Sequence, residues 1–111
     1  MANAEFALEV TTDPAHYGTW SLSAAGRIIT GFSVRLLGWA ATETSGSAAA
    51  TVNVYDGTDT TGLIVLPIRL AQSEAGESWY GPNGIWFKNG VYINVASGQA
   101  QGAIFYRHVR L

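Results

Sequence analysis

The chain has 111 residues, with 6 Lys+Arg against 8 Asp+Glu and a formal net charge of −2, a length that fits one domain able to bury roughly 65% of its unfolded surface. Hydrophobic residues reach 48% and charged residues only 13%, about half the ~25% usual in soluble domains, which excludes a disordered chain. The cations sit singly along the sequence, at Arg27, Arg35, Arg69, Lys88, Arg107 and Arg110, so no basic footprint for nucleic acid is expected.

Thirteen glycines punctuate runs rich in Val, Ile, Thr, Tyr, Phe and Trp, the pattern of an all-β sandwich or barrel. Strands are predicted, in chain order, near Phe6–Thr12, Trp20–Ala24, Arg27–Leu37, Ala49–Tyr55, Leu63–Ala71, Trp79–Tyr80, Ile85–Lys88, Val91–Ala96 and Ala103–Val109. Thr42–Ser47 reads as a polar loop, and Asp56–Gly62 as a turn built on Asx and Gly chemistry. Asn89-Gly90 predicts a type I′ hairpin pairing Lys88 with Val91, Phe87 with Tyr92, Trp86 with Ile93 and Ile85 with Asn94. No stretch of ten or more residues sustains a 3.6-residue apolar period, so little or no helix is expected. The expected fold class is all-β, an antiparallel β-sandwich of about eight strands. Residues 1–17 read as an N-terminal arm or edge strand and residues 18–111 as one sandwich domain.

In the predicted hairpin one face carries Trp86, Lys88, Val91, Ile93 and Val95, and the other Ile85, Phe87, Tyr92 and Asn94. Both faces are largely apolar, whereas a sheet wetted on one side alternates apolar and polar. The last strand sets Ala103, Phe105, Arg107 and Val109 against Ile104, Tyr106, His108 and Arg110. Leu63–Ile68 is apolar on both sides too. A sandwich has one inner face per sheet to fill, so the surplus predicts a partner or assembly surface.

Positive signals for chemistry are few. The chain has no cysteine, which removes disulfides, thiolate catalysis and Cys-based zinc sites and leaves the redox compartment open. His16, His108, Asp13, Asp56 and Asp59 with the serines lie in no nucleophile-elbow context. Two distant histidines make no recognisable zinc set, and Asp56 and Asp59 are read as turn formers ahead of calcium ligands. Gly81-Pro82-Asn83-Gly84 lacks the Lys and following helix of a phosphate loop. No enzyme activity, cofactor or metal is therefore expected. No signal peptide or membrane span is visible, so an intracellular setting, or release by lysis, is expected. The aromatics Trp79, Tyr80, Trp86, Phe87, Tyr92, Phe105 and Tyr106 are the candidate core, subunit-contact or glycan-contact residues.

The runs Thr51–Thr58, Gly62–Val65, Ile85–Gly98 and Gly102–Tyr106 form a recurring layout. A strand ends in Tyr55-Asp56-Gly57, a turn and an apolar strand follow, then Gly84-Ile85-Trp86-Phe87, a turn, Gly90-Val91-Tyr92-Ile93-Asn94-Val95 and a last strand. Across roughly residues 28–107 this resembles small all-β structural proteins of tailed-bacteriophage virions, of the head-decoration or minor-tail type. The resemblance implies a jelly-roll-like sandwich, self-associated (often as a trimer) and docked on a protein shell, with no active residues to transfer. The expectation is thus a non-enzymatic virion protein, made in the host cytoplasm, most readily a capsid decoration protein. Its partners would be copies of itself, a trimer being favoured, and the major capsid protein or another virion protein; neither nucleic acid nor membrane is expected. The alternatives are a carbohydrate-binding module whose exposed aromatics contact glycans, and a tail or neck component.

Overall fold

A computed structural model describes residues 14–109. Within them the chain forms nine strands and no helix: β1 (His16–Ser23), β2 (Gly26–Thr30), β3 (Val34–Glu43), β4 (Ala50–Asp56), β5 (Leu63–Leu70), β6 (Ala75–Trp79), β7 (Ile85–Phe87), β8 (Val91–Ser97) and β9 (Gln99–His108). The predicted strand at Phe6–Thr12 and most of the predicted arm lie outside the described residues. β1 begins at His16, two residues before the predicted domain boundary.

The strands build two antiparallel sheets. One has the order β1-β9-β3-β6, with β7 also on β3; the other has the order β2-β8-β4-β5. The pairs β4/β5, β3/β6, β2/β8 and β1/β9 nest inside one another, as in a long hairpin rolled up on itself. The pairings β3/β9 and β4/β8 then close each sheet. This nesting is a jelly roll.

Period-two patterning explains which side of each strand faces in. Val91, Ile93 and Val95 of β8 are buried while Tyr92 and Asn94 between them are half-exposed. In β4, Ala50, Val52 and Val54 point inward and Thr51 and Asn53 outward. These side chains meet Leu36, Phe87 and Ile104 of the first sheet in one cluster. Burying Phe87 completely stabilises the fold by about 1.5–3 kcal/mol relative to exposure. β5 is an edge strand, which is why it tolerates Pro67 opposite Asn53. Its two-sided apolar sequence divides accordingly: Ile68 and Leu70 are buried, and Leu63 and Ile64 are exposed.

Several predicted features differ: β6 is Ala75–Trp79 and leaves Tyr80 outside it, and β9 starts at Gln99. The single strand Arg27–Leu37 is two strands in different sheets, β2 and β3, broken at Gly31–Ser33. There the Thr30 hydroxyl accepts the Phe32 N–H at 3.1 Å, turning the chain. Thr42 and Glu43, read as loop, complete β3. The Asn89-Gly90 hairpin does not form: β7 pairs with β3, and β8 pairs with β2 and β4. The dipeptide is instead a corner between sheets. Asn89 donates its N–H to Asp56 Oδ1 at 2.8 Å, and Gly57 donates its own to the Gly90 carbonyl at 3.1 Å. Gly90 has φ +123°, and a Cβ there would sit 2.5 Å from the Thr30 carbonyl oxygen, so both torsion and space require glycine. The corner also inverts the predicted faces. Phe87, Val91, Ile93 and Val95 share the core, while Trp86 and Lys88 face solvent.

Candidate functional site

Residues directly opposite in an antiparallel ladder share a face, so the register maps the outer face of the β1-β9-β3-β6 sheet. One row across all four strands reads Tyr17, Phe105, Gly38, Trp79. Its three rings are exposed by 69%, 37% and 65% respectively. At ~4.8 Å between strands, Tyr17 and Trp79 stand about 14 Å apart. Gly38 leaves the gap that Trp79 leans over, since a Cβ there would meet Trp79 Cε3 at 3.3 Å and the Ser78 carbonyl oxygen at 2.5 Å.

The next row toward the Asn89-Gly90 corner reads Arg107, Arg35, Trp86. Arg35 and Lys88 bracket the Trp86 ring, with Cζ 5.8 Å and Nζ 5.2 Å from its centroid. Trp86 Nε1 donates to Ser33 Oγ at 2.7 Å, which holds the ring in place. Two arginines directly opposite each other repel, and the register puts no carboxylate beside them. The cations that look scattered in sequence are therefore gathered in part: three of the chain's six lie on this patch.

On the other side of the aromatic row the side chains are small. The rows read Thr19, Ala103, Ala40, Glu77, and then Ser21, Gln101, Thr42, Ala75. They leave a hollow of about 560 Å³ over Ala40, Thr42, Gln101 and Ala103, with Arg27 of β2 also lining it, and a second of about 370 Å³ between Trp79, Phe105, Ala40 and Glu77. Glu77 has Ala40 beside it and Trp79 and Ala75 along its own strand face, with no cation among these neighbours. A turn stands at the opposite end. Leu37, the extra residue of a β-bulge in β3, is buried outside the inter-sheet cluster, and Gly84 lies against its side chain. Arg107, on the outer face, donates from Nη1 to the Pro82 carbonyl at 3.3 Å and ties the turn there.

The second sheet has an analogous row, Ile28, Tyr92, Tyr55, Ile64. It covers more of itself. Tyr55 is only 8% exposed and packs edge-to-face on Tyr92, at 6.1 Å between ring centroids. The Tyr92 hydroxyl lies over Gly26, where a Cβ would clash at 1.9 Å.

The seven predicted aromatics thus part company. Trp79, Trp86 and Phe105 come together on the outer face of the first sheet. Phe87 is core, and Tyr92 belongs to the other sheet. Tyr80 is half-buried, its hydroxyl accepting the Trp39 indole N–H at 2.9 Å. Tyr106 faces inward beside His16 and His108, at 5.8 and 5.7 Å between ring centroids, and the two imidazoles are 4.9 Å apart. Tyr17 is the ring the sequence reading missed, because it was assigned to the arm. The alternation of Tyr17, Thr19 and Ser21 with Gly18, Trp20 and Leu22 carries the signal that would have placed it on a strand.

Among the described acidic side chains, Glu43, Asp56, Asp59 and Glu74 serve turns or corners, whereas Glu77 stands on β6. Asp59 accepts the Thr61 hydroxyl at 2.5 Å and its N–H at 2.9 Å, the hydroxyl being the main cause that lowers its carboxyl below the ordinary value. Among the described residues no three His, Asp or Glu side chains converge as a metal site would require. No known protein family, curated protein or solved structure matches the chain.

Proposed function

We propose that this chain is a non-enzymatic structural protein of a virion, a decoration protein that associates with copies of itself and docks on an assembled capsid. The observation that carries the reading is the exposed row Tyr17, Phe105, Trp79 across the four-stranded face. Exposed rings in line across a rigid sheet are contact residues for a partner, because Tyr and Trp are the side chains that interfaces concentrate. The resemblance to phage decoration proteins and the jelly-roll topology support the same reading.

Two surfaces divide the work. The aromatic face serves self-association. Shell docking falls to the end of the sandwich where the β2–β3, β4–β5 and β7–β8 connections gather, which carries Phe32 and Leu63, exposed by 72% and 74%. A protein that binds only the assembled shell stabilises it by mass action, about 2.7 kcal/mol per site at a hundred times Kd. Co-sedimentation with tailed-phage heads purified without the protein tests this. Binding should raise the temperature at which heads release DNA, and Phe32→Ser with Leu63→Ser should weaken it at least tenfold. Absence of binding would overturn the docking claim.

A second reading, a carbohydrate-binding module, is favoured by the hollow between Trp79 and Phe105, where Glu77 offers a hydrogen-bonding group beside the rings. A glycan array answers it: saturable binding lost in Trp79→Ala would move this reading ahead.

A further inference from the structure

The aromatic face of the first sheet is self-complementary, and its charges indicate how two copies meet. This inference rests on the self-association just proposed and names its geometry.

Along the strands, the face runs from a cationic row (Arg107, Arg35, Trp86 with Lys88), through the aromatic row, to a row ending in Glu77. The cationic row and the Glu77 row flank the rings on opposite sides, each about 7 Å away along the strand. β6 and β7 both pair with β3 on the same side, so Glu77 and Trp86 occupy one column of the sheet. A two-fold axis laid in the face along the aromatic row exchanges the two flanking rows and leaves every column in place. It sets Trp79 against Trp79 and Phe105 against Phe105. It also brings the Glu77 carboxylate of each copy to the Arg35–Trp86–Lys88 cluster of the other.

Among the described residues these charges have no complement on their own face. Arg35 faces Arg107, and Glu77 faces Ala40. The two-fold supplies the missing partner to both in one operation, twice per pair. Shape agrees with charge. The turn at Pro82 stands between the cationic and aromatic rows, tied to Arg107. The rotation sets it over the hollow of about 370 Å³ between Trp79, Phe105, Ala40 and Glu77 of the other copy. Four strands by eight residues give about 500 Å² of flat area per copy, so the pair reaches the ~1,000 Å² total that a specific interface needs.

We infer that this face is an isologous dimer contact between two copies of this chain, with Glu77 of each copy paired to Arg35 and Lys88 of the other across a row of stacked aromatics. An isologous contact closes on itself and yields even-numbered assemblies, in place of the trimer that the resemblance implies.

Charge reversal tests it on the full chain, by solution mass from light scattering over a range of concentrations. The wild type should have twice the 11.8 kDa mass of one chain. Glu77→Arg and Arg35→Glu should each weaken association at least tenfold, by setting like charges together, and the double variant should recover it. Circular dichroism melts verify that each variant is folded. A wild-type trimer, or wild-type association that neither reversal weakens, would overturn the two-fold contact and leave self-association standing. A double variant no better than the singles would also overturn it. A wild-type monomer at all concentrations would overturn the contact together with self-association.

Discussion

Glu43 accepts the backbone N–H of Ser73 at 2.8 Å across thirty residues of sequence, although it closes a strand whose neighbouring loop it also caps. The same carboxylate accepts the N–H groups of Ser45 at 2.6 Å and Gly46 at 2.9 Å, and is itself only 3% exposed. One charge thus pins the β3–β4 loop to the β5–β6 turn. The Ser45 hydroxyl first, then the Ser73 N–H, hold its pKa at about 2, below the ordinary 4.5.

Because the folded value lies below the unfolded one, the Glu43 contribution is complete above about pH 4.5. It is lost as pH falls from there through about 2. Glu43→Gln should lower the melting temperature at neutral pH and reduce the loss of stability on acidification over that window. Thermal melts at neutral pH and through that window check this. A variant whose deficit stays constant down to about pH 2 would contradict it.

Adjacent rings in β7 should respond unequally to truncation. Phe87 is fully buried, so Phe87→Ala leaves a cavity and should cost about 3–5 kcal/mol. Trp86 is 46% exposed and gives up one hydrogen bond to Ser33 and two cation contacts, so Trp86→Ala should cost about 1 kcal/mol. Denaturant melts of both variants measure the difference; equal losses would mean the face assignment of β7 is wrong.

The corner at Gly90 makes a sharper comparison with Gly31. Gly90→Ala must hold φ +123° and displace the Thr30 carbonyl, and should cost about 1–3 kcal/mol. A Cβ on Gly31 meets nothing within 4 Å, so Gly31→Ala should fall within about ±0.5 kcal/mol. Equal costs at the two positions would mean that neither the positive φ nor the Thr30 carbonyl constrains Gly90.

The aromatic row predicts a loss of contact without a loss of fold. Trp79→Ser and Phe105→Ser remove exposed rings, so melting should shift little while self-association weakens by about 30-fold or more. Light scattering and melting on the same samples separate the two effects. A large drop in melting temperature with unchanged mass would return these rings to the fold.

Strand identity was legible in the sequence because glycine and β-branched residues mark it locally. Sheet membership was not. The stretch Arg27–Leu37 carries no break stronger than Gly31, and only the Thr30 hydroxyl's grip on Phe32 shows that the chain crosses between sheets there. At Asn89-Gly90 the local signal was read correctly as a positive-φ glycine, but a hairpin and a corner ask the same of that residue. The partners, Asp56 and Thr30, decide between them and lie far away in sequence. That one misreading mixed the faces of β7 and β8 and made both look apolar. Of the candidate site, the rings at 79, 86 and 105 were visible as residue types. The Arg35–Arg107 opposition was invisible, because it exists only through the β3/β9 register.

The most direct test of the account is the solution mass of the full chain, by light scattering after size exclusion across a wide concentration range. The expected result is a stable dimer of twice 11.8 kDa that Trp79→Ser dissociates. A folded wild-type chain that stays at 11.8 kDa throughout would contradict it, and would leave the aromatic face without the copy argued to cover it.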